Sequence, residues 1–180
     1  MSALSLSGDE IRRLFGLLER RLETRCVIGE LHLVGGAVMC LVLQAREATR
    51  DVDALFEPKA IVREAAADVA AQEHLPASWL NDAVKVFLGT RAAFDPVPFL
   101  DLPHLRVFVA EPHYLLALKC AAMRLGPEFH DEDDVRYLLR QLDVRSVEQA
   151  LEIVTRYVEP DRIPAKTRFA LEELLPRDTL

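Results

Sequence analysis

Two aspartates one residue apart, Asp51 and Asp53, and a glycine pair upstream, Gly35 and Gly36, carry the clearest chemical potential in this chain. On a strand, alternate side chains share a face, so both carboxylates project together while Val52 points into the core. Their Cα atoms then lie roughly 7 Å apart. Carboxylates held in this way suit a hard divalent cation such as Mg²⁺ or Mn²⁺, which completes its shell with water and substrate phosphate. A glycine pair between a strand and a helix lets backbone approach a ligand and leaves N–H groups for an anion. An NTP with its phosphates on the glycines and its cation on the acids would use both features. The plain alternative is a turn and a solvated strand end, and spacing alone does not choose between them.

The surrounding pattern sets what must hold these groups. An apolar run over 31–34 stops at the glycines, and an apolar, helix-like segment spans 37–44. A polar connector over 45–50 leads into a second apolar run opened by Asp51. The expected order is strand, tight glycine turn, helix, loop, strand.

The stretch GGAVMCLVLQAREATRDVDALF resembles the signature of minimal nucleotidyltransferases of the polymerase-β-like superfamily, a glycine pair followed by D-x-D. Its connector, with Arg46 and Thr49 before Asp51-Val52-Asp53, is similar to the AbiEii, type IV toxin-like branch and its small relatives. WLNDAVKVFL, from Trp79, resembles the same relatives. Farther on, LLALKCAAMR followed by HDEDDVRYLL resembles that branch's downstream motif, a lysine on one helix and Asp-x-x-Asp opening the next. The resemblance implies an α/β fold with a small mixed β-sheet and a C-terminal helical lobe. It implies a Mg²⁺- or Mn²⁺-dependent enzyme that moves an NMP from an NTP to an acceptor hydroxyl. It puts Gly35, Gly36, Arg46, Thr49 and Lys119 on the nucleotide, Asp51 and Asp53 on the metal, and Asp131 and Asp134 in the acidic pair. Its implied acceptors include the tRNA 3′ end or another RNA, in a toxin–antitoxin or phage-defence setting with a cognate antitoxin.

One departure matters. The superfamily carries a third carboxylate on a later strand, and the alternating run 105–109 holds none; Asp101 and Glu111 flank it. Two other readings therefore stand beside the first. One is transfer to a small molecule or protein, and the other is a catalytically degraded nucleotide-binding or regulatory protein.

The residues of the downstream motif also have readings of their own. Lys119 lies in an apolar turn, where an ammonium either snorkels to water or reaches a buried anion. Asp131 and Asp134 open a helix, where acids cap and complement the dipole of any helix as well as serve chemistry. Asp82 reads as a solvated helix position or an acid behind the site, and His130 as a loop histidine.

Length and composition bound the rest. At 180 residues, 51% hydrophobic and 28% charged, the chain suits an α/β core over 1–110 with a helical lobe over 111–180 packed on it. A net charge of −7 speaks against a broad nucleic-acid-coating face, although Arg12, Arg13, Arg20, Arg21 and Arg25 cluster in the first helix. No apolar run is long enough to span a bilayer, and the start lacks a signal-peptide pattern, so the expectation is a soluble, cytoplasmic protein with no membrane partner. Cys26, Cys40 and Cys120 read as buried free thiols.

Ser7 and Ser146 open capping boxes. Pro58 starts a helix with Ile61, Ala65, Ala66 and Val69 inward. Ser78 caps another, continued by Ala83, Val84 and Phe87, with Trp79 in the core. The helix from 111 or 112 runs to Gly126-Pro127, and Phe169, Ala170, Leu174 and Leu175 pack the last one.

Overall fold

The computed structural model describes residues 5–82, 91–124, 126 and 129–175. The chain forms two compact units; the described residues of the first fall within 1–86 and 94–110, those of the second within 87–93 and 111–180.

The first unit is mixed α/β. Helix α1 (Gly8–Glu23) begins at Ser7, whose Oγ accepts the Glu10 N–H at 3.2 Å. Its apolar stripe, Ile11, Leu14, Phe15, Leu18 and Leu22, is fully buried. Strands β2 (Gly29–Leu33), β4 (Val52–Glu57), β5 (Leu80–Asn81), β6 (Leu100–Leu102) and β7 (Leu105–Val109) form one sheet in the order β5-β4-β2-β7-β6. The β2–β7 and β4–β5 pairs are parallel, and β2–β4 and β6–β7 are antiparallel. Strands β1 (Leu6–Ser7) and β3 (Ala48–Thr49) make a separate antiparallel pair.

Alternation divides the sheet faces. Leu31, Leu33, Val52, Ala54, Phe56, Leu105 and Val107 are buried, alongside α1 and α3 (Lys59–Glu73), whose Val62, Ala65, Ala66, Val69 and Ala70 are buried as well. Gly29 marks a close approach, since a Cβ there would lie 2.7 Å from Leu22 Cδ1 and 3.3 Å from Val62 Cγ2. The intervening positions Glu30, His32, Asp53 and Leu55 are half-buried, as is Phe108, and Arg106 is exposed. His32 stacks on Phe108 at 4.9 Å between ring centroids and meets the Phe94 edge at 5.0 Å.

Several sequence expectations change here. Helix α2 (Gly35–Leu41) starts at the glycines instead of after them, and ends short of residue 44. Gly35 has φ +65°, a left-handed value that glycine adopts without a Cβ clash. Val62 takes the inward place expected for Ile61. The helix expected from Ser78 is a 3₁₀ turn, Ala77–Trp79, followed directly by β5; Ala83, Val84 and Phe87 lie outside the described residues. Trp79 is fully buried and donates its indole N–H to the Ala66 carbonyl at 3.0 Å, a tertiary anchor that sets this turn. Cys26 is exposed, on a left-handed residue (φ 52°) past the end of α1, whereas Cys40 and Cys120 are buried.

The arginines of α1 and Arg25 just past its end are largely spent within the unit. Arg13 pairs with Glu73 at 2.7 Å, Arg25 with Asp68 at 2.6 Å, and Arg21 donates to Gln72 at 2.6 Å, all on α3. Arg12 lies over the Phe99 ring.

The second unit is helical: α4 (Pro112–Ala121), α5 (Asp131–Gln141), α6 (Val147–Tyr157) and α7 (Ala165–Leu174). Residues 114–121 of α4 are buried all round, as suits a helix enclosed by α5 and α6. Ser146 Oγ accepts the Gln149 N–H at 3.2 Å, and the Gln149 side chain reaches back one residue farther than a capping box requires, to the Arg145 N–H at 2.9 Å. Thr167 Oγ1 fastens α7 to the Cys120 carbonyl at 2.8 Å. Phe169 is exposed, and Leu171 fills the inward place expected for it. Among the described residues, no helix is long and apolar enough to cross a membrane.

Candidate active site

The first unit gathers six of the singled-out residues around α2 and the head of β4. Val34 follows β2, and its N–H bonds to the Asp53 carbonyl at 3.0 Å, which ties the end of β2 to β4. The missing side chains of the two glycines make room for specific groups. A Cβ on Gly35 would sit 2.9 Å from Asp53 Oδ2. A Cβ on Gly36 would collide with the Arg46 guanidinium and lie 2.5 Å from Thr49 Oγ1. Arg46 Nη2 donates to Thr49 Oγ1 at 2.9 Å, and Thr49 is buried on β3. The glycines therefore admit protein side chains, a carboxylate on one and a guanidinium on the next.

Asp51 immediately precedes β4 and Asp53 is its second residue; both are half-buried, and Val52 between them is fully buried. Asn81 of β5 stands in register with Asp53 and donates from Nδ2 to Asp51 Oδ2 at 3.3 Å. Sequence reasoning missed Asn81 because it placed this stretch on a helix; a two-residue strand carries no periodic signal that would have corrected it. Asp82, next in the chain, pairs with Lys59 and with Arg63 at 3.1 Å, so it belongs to an ion cluster with α3.

Register also locates the acids near β7. Across the sheet Asp101, Arg106, Glu30 and Glu57 stand level, and Arg106 lies 3.6 Å from Asp101 and 3.5 Å from Glu30. Asp101 is thus level with a residue four positions along β4 from Asp53, roughly 13 Å in the strand direction alone. The β7-side positions that share the Asp53 face are Arg106, Phe108 and Ala110, none of them acidic. Among the described residues, no three His, Cys, Asp or Glu side chains group as a metal-ligand set.

The second unit brings Lys119, Asp131 and Asp134 together. Lys119 is 9% exposed, with Nζ 2.6 Å from Asp134 Oδ2 and 3.4 Å from Asp131 Oδ1; those acids are 3% and 5% exposed. Lys119 therefore reaches buried anions supplied by its own chain. Arg124, which the sequence did not single out, completes the cluster, donating to Asp131 Oδ2 from Nε at 2.9 Å and from its backbone N–H at 3.1 Å. The hydrogen bonds of Asp131 thus run to Lys119 and Arg124, not to the first turn of α5. Burial alone would raise the Asp131 pKa, but the Arg124 hydrogen bonds and the Lys119 charge outweigh it and hold the carboxyl below its ordinary value. His130 is exposed at the N-cap position of α5.

Compared with protein-family models, curated proteins and solved structures, the chain gives no significant match.

Proposed function

We propose that the chain is a metal-dependent nucleotidyltransferase that moves an NMP from an NTP to an acceptor hydroxyl. One observation carries the reading: adjacent glycines at the start of α2 receive the Asp53 carboxylate and the Arg46 guanidinium, one group suited to a cation and one to a phosphate. The oxygens of Asp51 and Asp53 fit Mg²⁺ or Mn²⁺ by donor type, and their half-buried setting at the head of β4 leaves them less hydrated than surface acids. A bound cation would there polarise the α-phosphate and stabilise the pyrophosphate leaving group. Arg46, seated on Gly36 and Thr49, offers a pre-oriented fork to phosphate oxygens. The acceptor oxygen forms its bond to the α-phosphorus as the bond to pyrophosphate breaks, and the protein's share is positioning and charge.

The resemblance extends the reading to a tRNA or other RNA acceptor, an antitoxin partner and a cytoplasmic setting. It also assigns Lys119 to the phosphates and Asp131 and Asp134 to chemistry. The mutual contact of these three supports that assignment no more than it supports a buried structural ion cluster, and replacement of Lys119 separates the two. A second reading, a nucleotide-binding protein without catalysis, is favoured by the Arg106, Phe108 and Ala110 positions where a third acid is expected.

The test is incubation with each labelled NTP, Mg²⁺ or Mn²⁺ and total cellular RNA, followed by product mapping. Label transfer that disappears in Asp51→Asn/Asp53→Asn is the expected result. Nucleotide binding without transfer to RNA, protein or small molecules would favour the second reading, and absence of both would overturn the first.

A further inference from the structure

We propose that Asn81 is the third member of the Asp51–Asp53 site, orienting Asp51 in the free protein and offering a neutral ligand oxygen where related chemistry uses an acid; this rests on the metal-site reading above. Two independent observations converge on it. The parallel β4–β5 register sets Asn81 beside Asp53, and its carboxamide donates to Asp51 Oδ2 at 3.3 Å. One side chain thus stands next to one acid along the sheet and touches the other. The strand order supports the same conclusion, because β4 has β2 on one side and β5 on the other. A third side-chain ligand from the β7 direction would have to come from Phe108 or Ala110, whose side chains have no oxygen to give. Asn81 comes from the other flank.

A carboxamide can hold two states at this place. With its N–H turned to Asp51, it holds that carboxylate in orientation and offsets part of the repulsion between two nearby acids. A half-turn about Cβ–Cγ exchanges donor for acceptor and presents Oδ1, a hard oxygen ligand that Mg²⁺, Mn²⁺ and Ca²⁺ accept. Because the amide is neutral, the set carries less negative charge than three acids. It should hold a bare cation weakly and gain affinity when phosphate oxygens complete the shell.

The experiment is a titration of the full chain with Mn²⁺ alone, read by the paramagnetic signal of free Mn²⁺, with urea unfolding of each variant alongside. Asn81→Ala should weaken Mn²⁺ binding by roughly tenfold or more, the usual scale for a group that orients a metal ligand. Asn81→Asp, which places a third carboxylate at the same point, should tighten it by a similar factor. Opposite shifts from the two variants are the expected result; because an added carboxylate attracts Mn²⁺ by charge alone, the Asn81→Ala loss at unchanged urea stability is the part that decides the role of Asn81. Should Asn81→Ala fail to fold, Asn81→Ser stands in for it, and the Asn81→Asp gain is still required. Wild-type binding that Asp51→Asn/Asp53→Asn abolishes, with Asn81→Ala like wild type or both Asn81 variants weaker, would overturn the role of Asn81 and leave the metal site standing. Equal signals from wild type and Asp51→Asn/Asp53→Asn would overturn both.

Discussion

Replacing Lys119 with methionine keeps the stem's bulk and deletes a charge that faces two carboxylates at 2.6 and 3.4 Å. From the sequence alone, such a lysine either snorkels to water or reaches a buried anion, and the structure shows the second, with Asp131 and Asp134 as the anions. Asp134 is 3% exposed, so without Lys119 it is left as a buried anion that has lost its closest cation. Breaking a buried pair from one side costs about 3–5 kcal/mol. Asp131 keeps two hydrogen bonds from Arg124, which confines the damage to Asp134 and favours the lower end, about 3 kcal/mol. At about 2–4 °C per kcal/mol for a chain of this size, Tm should fall by about 6–12 °C.

The chain provides its own reporters. Its one tryptophan, Trp79, lies in the first unit, and its three tyrosines, Tyr114, Tyr137 and Tyr157, lie in the second. Near-UV circular dichroism of the tyrosines during urea unfolding therefore reads the unit that holds Lys119, and Trp79 fluorescence reads the other. The tyrosine transition should move to lower urea in Lys119→Met and recover most of the loss in Lys119→Met/Asp134→Asn, where no charge is stranded. A Lys119→Met transition within about 0.5 kcal/mol of wild type, the usual size of a surface substitution, would refute the buried-ion reasoning.

Three further perturbations test other parts of the structure. Gly36→Ala drives a methyl into the Arg46 guanidinium and Thr49 Oγ1, so the Trp79 transition should lose about 1–3 kcal/mol; a neutral result would mean that Arg46 is not seated there. Because the folded Asp131 carboxyl titrates below its unfolded value of about 3.9, its stabilisation is complete above that pH and is lost as pH falls through the lower folded value. Asp131→Asn should therefore flatten the tyrosine-detected acid transition below about pH 4. Burial, opposed by the Glu30 charge, lowers the His32 pKa, so stability is full above about pH 6.5 and declines as pH drops toward the folded value. His32→Phe should remove that slope from the Trp79 transition while keeping the stack on Phe108.

What could be read from the sequence was what is decided locally. Ser7 and Ser146 cap because a hydroxyl and an N–H three residues on need nothing else, and 105–109 alternates because one face of β7 is buried. The D-x-D placement held for the same reason, with Val52 in the core between two half-buried acids. What failed was decided at a distance. Trp79 looked like part of a helix, but its indole is fastened to Ala66 and the chain turns into β5 beside β4. Gly35 and Gly36 looked like a turn open to a ligand, and they are the first residues of α2 with Asp53 and Arg46 drawn onto them. Arg124 gave no signal at all. Nothing in its neighbours marks it, and its role follows from an acid seven residues later that takes both its backbone and side-chain N–H.

Asp51 and Asp131 differ in how their charge is met, and that difference bears on which of them serves chemistry. Asp131 is buried and receives Lys119, the Arg124 side chain and the Arg124 backbone. To exchange those partners for a metal ion or a phosphate, the protein must first break charge-assisted bonds, one of them to the buried Lys119. Asp51 is half-buried, and its partner is a neutral amide at 3.3 Å, a long contact that costs little to give up. An acid met by a neutral group gains much when a cation arrives, because the Coulomb term is new. An acid already met by two cations gains little. On this ground the head of β4 suits exchangeable ligands and the α4–α5 cluster suits permanent structure, and the Lys119 and Asn81 variants test the two halves of that argument separately.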